Sequence, residues 1–184
     1  QFITGLLFAA ALMDGKTTID IIGKLESKPY VDLTLQTLSQ FGVNWNDFHC
    51  AGNQKFISPG TVKVEGDWSS AAFWLAADSI GSQIEVVGLN PNSVQGDKVI
   101  SNLLLQLKEC ITISAADIPD LVPILAIVAS VNKGAVITDV RRLRLKESDR
   151  VASTIAMIEA LGGKAEATEN TLTVLGTGLT GGTV

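Results

Sequence analysis

Histidine, cysteine and tyrosine are nearly missing from this 184-residue chain, which has one histidine, His49, two cysteines, Cys50 and Cys110, and one tyrosine, Tyr30. So few sulfur and imidazole groups give no zinc spacing and no disulfide framework, and two unpatterned cysteines suit a reducing compartment. A His49-Cys50 nucleophile pair is also disfavoured, because adjacent side chains on a strand point to opposite faces. Positive charge is short as well. Lys and Arg number 14 against 19 Asp and Glu, for a net charge of −5 and a pI near 4.8. That balance excludes a general nucleic-acid binder, so any basic patch must be local. No membrane-length apolar run is present. Residues 1–13 are apolar but too short to cross a bilayer, and they have neither an initiator Met nor a basic leading region. They are expected to form a buried helix entered part-way through a longer chain.

What is present is 46% apolar, enough for a real core in one domain or two small ones. The order is that of an α/β chain, with a unit of strand, polar loop, helix and strand that recurs. Residues 16–22 are rich in β-branched side chains and predict a strand. Pro29 fits the first turn of the helix that follows, Val31, Leu35, Leu38 and Phe41 form its apolar face, and Gly42 suits its C-terminal cap. Further strands are predicted at 61–65, 84–88, 135–141, 164–167 and 171–175. Further helices are predicted at 68–80, from near Asp97 with Ile100, Leu103, Leu104 and Leu107 inward, at 120–131, and at 147–161. The helices at 68–80 and 120–131 fit β-α-β-α-β-β units better than simple β-α-β ones. Ser58-Pro59-Gly60 and Gly66 mark a boundary, with Asp67 as a helix cap just beyond it.

The densest chemistry lies in residues 141–150, where Arg141, Arg142, Arg144, Lys146 and Arg150 crowd against Glu147, Ser148 and Asp149. If a helix begins at Glu147, cations stand at its start, where free N–H groups and the dipole favour negative charge by about 0.3–1 kcal/mol per group. A bound phosphate or carboxylate would resolve that misfit, and a solvated, self-paired charge cluster is the plainer alternative. Phe and Tyr are absent around this corner, which speaks against an RNA surface. Asp120, after Ile118-Pro119, reads either as the N-cap of an apolar helix or as a carboxylate base toward a bound hydroxyl.

Four motifs, Ser27-Lys28-Pro29-Tyr30, Gly66-Asp67 with Ser69-Ser70-Ala71, Ile118-Pro119-Asp120 and Arg144-Leu145-Lys146-Glu147-Ser148-Asp149-Arg150, resemble in order and spacing the 5-enolpyruvylshikimate-3-phosphate synthase (3-phosphoshikimate 1-carboxyvinyltransferase) family. The resemblance implies the enolpyruvyl transferase fold, with repeated β-α-β-α-β-β units whose helices pack under mixed sheets. It further implies that residues 1–65 are the C-terminal part of a first domain and 66–184 the first part of a second. The implied reaction moves the enolpyruvyl group of phosphoenolpyruvate onto the 5-hydroxyl of shikimate 3-phosphate and releases phosphate, with no metal and no organic cofactor. Asp120 would accept the hydroxyl proton, and Glu147 would deliver and remove the proton at the methylene carbon. Lys146 would bridge the two substrates and share in the proton transfer as a third catalytic residue, and Arg150 would clamp phosphoenolpyruvate. Gln1, Ser27 and Tyr30, together with Asp120 and Lys146, match positions that bind shikimate 3-phosphate.

The same resemblance implies a monomeric parent acting on small molecules, without nucleic acid or membrane partners, in a bacterial cytosol or a plastid. The chain matches only the middle of the family pattern. The front strand with its Lys-Ser and Arg, an Asn-Ala-Gly-Thr segment, and a later Asn-Asp-His-Arg motif and lysine are not in it, and residues 47–54 and the stretch after Glu109-Cys110 are shorter than usual. The 184 residues alone are therefore expected not to turn over, and their uncovered faces to favour self-association. A UDP-N-acetylglucosamine enolpyruvyl transferase and a noncatalytic anion-binding fragment are the alternatives.

Overall fold

A computed structural model describes residues 2–184, so the expectation for Gln1 lies outside the described residues. The chain divides into two compact units, Gln1–Val64 and Glu65–Val184.

In the first unit helix α1 (Phe2–Leu12) packs on α2 (Lys28–Gln40), and a short antiparallel pair joins β1 (Thr17–Thr18) to β2 (His49–Cys50). Leu7, Ala11, Val31, Leu38, Val43 and Cys50 form its core. Burying a side chain such as Leu7 or Leu38 contributes roughly 1.5–3 kcal/mol. α2 follows its sequence pattern closely, with Pro29 in the first turn and Gly42 in the left-handed conformation just past the end. Helix α1 is not buried as expected. Leu7, Ala10 and Ala11 face the core, whereas Phe2 is 93% and Leu12 60% exposed, because α2 and the segment around Phe56 cover only part of a helix that is apolar all round. The strand expected over 16–22 shrinks to two residues, extended by the bond from Ile19 N–H to Phe48 O at 3.1 Å. His49 is exposed and Cys50 buried, on opposite faces of β2. Gly52 is required where it stands, since a Cβ there would lie 2.0 Å from the Gly15 carbonyl oxygen.

The second unit begins with α3 (Trp68–Ser79), capped by the Asp67 carboxylate, which accepts the N–H groups of Ser69 and Ser70. After a 3-10 turn at Gly96–Val99 comes α4 (Ile100–Gln106), with Ile100, Leu103, Leu104 and Leu107 buried as expected. The remainder forms one β-α-β-α-β-β unit of β3 (Ile111–Ser114), α5 (Val122–Val131), β4 (Gly134–Thr138), α6 (Arg150–Ala160), β5 (Lys164–Ala167) and β6 (Thr171–Leu175). The sheet order is β3-β4-β6-β5, with β3 parallel to β4 and the other pairs antiparallel. A parallel pair needs a crossover, and α5 supplies it. α5 packs on β4, β6 and α6, and α6 packs on β5. Leu121, Val122, Leu125, Ala126, Val128 and Ala129 are fully buried, so α5 is the centre of the core. Gly134 opens β4 at φ 84, where a Cβ would meet the Val174 carbonyl oxygen at 2.5 Å.

Two expected strands do not form. Residues 61–65 and 84–88 have no regular structure, and Val64 and Val87 are 88% and 76% exposed. β-branched composition suits a pleated surface, but no strand among the described residues lies beside either stretch to complete a ladder. The short connection after Glu109 is closed locally by the bond from Glu109 N–H to Gln106 O at 3.0 Å.

Candidate active site

The basic corner is built differently from its sequence reading. Arg141–Leu145 form a 3-10 turn pinned by buried Leu143, and α6 begins at Arg150, three residues later than expected. Asp149 alone caps it, its Oδ1 accepting the N–H groups of Val151 and Ala152, both at 3.0 Å. The Ala152 amide bond, helped by Arg144, holds the Asp149 carboxyl below its usual range against the opposing effect of burial. Glu147 and Ser148 cap nothing, and Lys146 stands outside the helix on extended backbone at φ −77, ψ −169. Cations at a helix start are thus fewer than the spacing implied, and only Arg150 occupies that position.

Arg144 is structural, since its guanidinium reaches Asp149 Oδ2 at 3.2 Å and the Thr168 carbonyl at 2.8 Å, tying the corner to the β5–β6 hairpin. Arg141 pairs with Glu169 at 3.4 Å on the same hairpin. Both side chains of that pair are largely exposed, and such pairs contribute about 0–1 kcal/mol. Arg150 does something else. Its Nη1 donates to Asp120 Oδ1 and, at 3.4 Å, to the Pro119 carbonyl, while its Nη2 lies 3.7 Å from Glu147 Oε2. Asp120 is therefore not the N-cap of α5. It sits inside a 3-10 turn at Pro119–Leu121, and neither that turn nor α5 has a side-chain cap, because the carboxylate is turned to Arg150. Lys146 is half-buried and has no hydrogen bond or ion pair among the described residues.

Asp120, Glu147 and Arg150 thus meet in one corner of the second unit, with Lys146 next to Glu147 in the chain. Ser27 and Tyr30 come together in the first unit at the start of α2. Ser27 has left-handed backbone at φ 55 and no side-chain cap bond, its carbonyl accepts the Tyr30 N–H at 3.1 Å, and the Tyr30 side chain is 40% exposed.

Sequence reading missed the acid group at the foot of α3. Glu65 accepts from Ser93 Oγ at 2.6 Å, Gln95 Nε2 at 3.0 Å and Asn90 Nδ2 at 2.9 Å, and these bonds, led by that of Ser93, lower its carboxyl's proton affinity. The loop held in this way delivers Asp97, 2% exposed, to Ser69, whose hydroxyl donates to Asp97 Oδ2 at 2.5 Å. In the sequence Asp97 read only as a helix start, since its burial depends on α3 lying over it. Asp67 is held below the usual aspartate range, first by the Ser70 hydroxyl, and its cap contribution is therefore present above about pH 3.9 and lost as pH falls through the depressed folded value. Asp67→Ala should cost about 0.5–2 kcal/mol at neutral pH. Urea unfolding at pH 7 and pH 3 checks this, with the difference between variants shrinking at the lower pH.

The pairing of an arginine at a helix start with the carboxylate of an Ile-Pro-Asp turn stands beside a family match that runs along this chain. The model of the EPSP synthase (3-phosphoshikimate 1-carboxyvinyltransferase) family matches residues 1–112 and 103–184. The chain belongs to the EPSP synthase family. It is 37% identical to a 3-phosphoshikimate 1-carboxyvinyltransferase of Clostridium kluyveri and 39% identical to one of Clostridium acetobutylicum, each alignment covering 96% of this chain and 46% of the relative. A relative of the same name from Histophilus somni is 36% identical over 92% of this chain. An EPSP synthase structure from Acinetobacter baumannii shares the fold, with a TM-score of 0.69 at 22% identity, covering 95% of this chain and 46% of that one. The chain therefore spans a little under half the length of the EPSP synthases it matches. The two matched segments of the family model overlap at 103–112, the region of the short α4–β3 connection.

Proposed function

We propose that, at the full length of its relatives, this protein transfers the enolpyruvyl group of phosphoenolpyruvate to the 5-hydroxyl of shikimate 3-phosphate, releasing phosphate. Residues 1–65 would close a first domain and 66–184 open a second. The observation that carries the reading is Arg150 held between Asp120 and Glu147, with Lys146 next to Glu147 in the chain and without a partner among the described residues, in a chain of this family. Arg150 presents a planar fork suited to a carboxylate or phosphate, and Lys146 a compact charge able to contact both reactants. When an anion takes the guanidinium, Asp120 loses its cation and becomes a stronger base toward the acceptor hydroxyl. The Glu147 contact is long and its side chain 83% exposed, so releasing Glu147 to serve the methylene carbon costs little. Cations gathered there would stabilise charge developing in the tetrahedral transition state. In the first unit, Ser27 and Tyr30 would bind shikimate 3-phosphate, as would Gln1.

Among the described residues no helix is long and apolar enough to cross a membrane. A cytosolic or plastid small-molecule enzyme that works as a monomer is the proposed setting. The test is phosphate release by the full-length protein with phosphoenolpyruvate and either shikimate 3-phosphate or UDP-N-acetylglucosamine. Activity with the first acceptor is expected. Activity with the second alone would replace the acceptor, and anion binding without turnover would leave a binding module. The 184 residues by themselves should release no phosphate at an enzymatic rate, which the same assay checks.

A further inference from the structure

The mechanism above leaves one buried acid unused. The Asp97 carboxyl lies under the first turn of α3, where α3 packs against both the turn at Gly96–Val99 and the turn that carries Asp120. Its Oδ2 accepts the Ser69 hydroxyl, and its Oδ1 is buried with no hydrogen-bond partner among the described residues. A carboxylate so placed is poorly solvated, and leaving a buried polar atom unsatisfied costs about 1–3 kcal/mol, more when it is charged. Among the described residues no cation compensates it. Lys98 donates instead to the Ser93 carbonyl at 2.6 Å, and Arg150 is engaged by Asp120 and Glu147. The other charged groups bearing on Asp97 are Asp67 at the head of α3 and Asp120, both negative. Burial first, and then these two charges, raise its proton affinity, while the Ser69 bond opposes them.

We infer that Asp97 is a positioning residue for Asp120, the two forming a coupled acid pair in which the charge state of the buried member sets how readily the outer one takes a proton. The inference rests on the reading of Asp120 as proton acceptor. The physical step is reciprocity: whatever the Asp120 charge does to proton binding at Asp97, the Asp97 charge does equally to proton binding at Asp120. An ionised Asp97 makes Asp120 a stronger base, and a protonated Asp97 relaxes that effect. Asp97 contacts no reactant in this scheme and acts only through Asp120. Retaining a poorly satisfied acid under α3 also lowers stability. Its raised folded proton affinity means that the contribution of Asp97 to folding is complete below about pH 3.9 and is lost as pH rises through the folded value.

Carboxyl-carbon NMR titration of the chain with labelled aspartate tests the coupling without needing turnover. Asp97 should titrate above the ordinary aspartate range, and the Asp120 curve should carry a second inflection at the Asp97 midpoint. Asp97→Asn keeps the shape and the bond with Ser69, and should erase that inflection and raise the melting temperature at pH 7 but not below pH 4. Ser69→Ala removes the donor to Asp97, and should move the Asp97 midpoint and the Asp120 inflection upward together. That variant and the wild-type curve decide the matter even if Asp97→Asn does not fold. An Asp120 curve indifferent to both substitutions, or an Asp97 midpoint in the ordinary range, overturns the inference. At full length, Asp97→Asn should shift the acidic limb of the kcat profile to lower pH. If the full-length protein has no transferase activity while the NMR coupling is present, the proposed function fails and the acid pair stands.

Discussion

Replacing Lys146 by methionine in the full-length protein should lower kcat by about 10²–10³-fold or more, the cost typical of removing one preorganised group that meets transition-state charge. The substitution keeps the length and apolar stem of the side chain and deletes only its charge. Because Lys146 makes no hydrogen bond or ion pair among the described residues and lies outside α6, its loss should leave the fold and melting temperature unchanged. Activity without stability is thus the predicted signature of a residue held ready for a ligand. Steady-state phosphate release read beside a circular-dichroism melt separates the two, and retained turnover would remove the proposed substrate bridge. Arg144 gives the contrast. Because it ties Asp149 to the Thr168 carbonyl, its truncation should affect stability first.

Leu125→Ala should have the largest effect on folding. Leu125 is fully exposed to protein and not at all to water, on a helix packed against β4, β6 and α6. Leucine-to-alanine changes at such sites cost about 2–5 kcal/mol, depending on how far the surroundings collapse into the cavity. Against a total stability of about 5–15 kcal/mol for a domain, that is a large share, and it corresponds to a melting shift of about 10–20 °C for a unit of this size. Trp68, buried in the same core, reports on this unit by fluorescence once the signal of Trp45 in the first unit is removed by a Trp45→Phe background, with far-ultraviolet circular dichroism as the second probe. A shift of only a degree or two would mean that α5 is not the centre of the core. Because the turn carrying Asp120 leads directly into α5, the same variant should also loosen the Arg150 pair.

How much was legible depended on whether a signal is local. The caps were, and Asp67 and Asp149 do what short polar side chains before apolar helices do. Helix α4 with its four buried apolar residues and the β5–β6 hairpin also appear where periodicity and punctuation put them. Residues 61–65 and 84–88 carry a strand pattern in sequence but stay irregular, because β-branched runs need a neighbouring strand and none among the described residues supplies one. α6 starts three residues later than its spacing predicts because Glu147, Ser148 and Asp149 all offer capping groups in sequence, and the fold uses the last. Of the two readings open for Asp120, the cap is the one the structure removes, because its partner Arg150 is far away in the chain.

From residue order alone came the α/β class, the membership carried by the run from Arg144 to Arg150, and the set of side chains with chemistry to offer, since composition, spacing and capping chemistry are properties of neighbours along the chain. Packing decided which of those side chains meet. It turned Asp120 to Arg150, gave Arg144 to the hairpin, left Lys146 without a partner among the described residues and buried Asp97 beneath α3, because burial and ion pairing are settled between segments brought together only when the core closes.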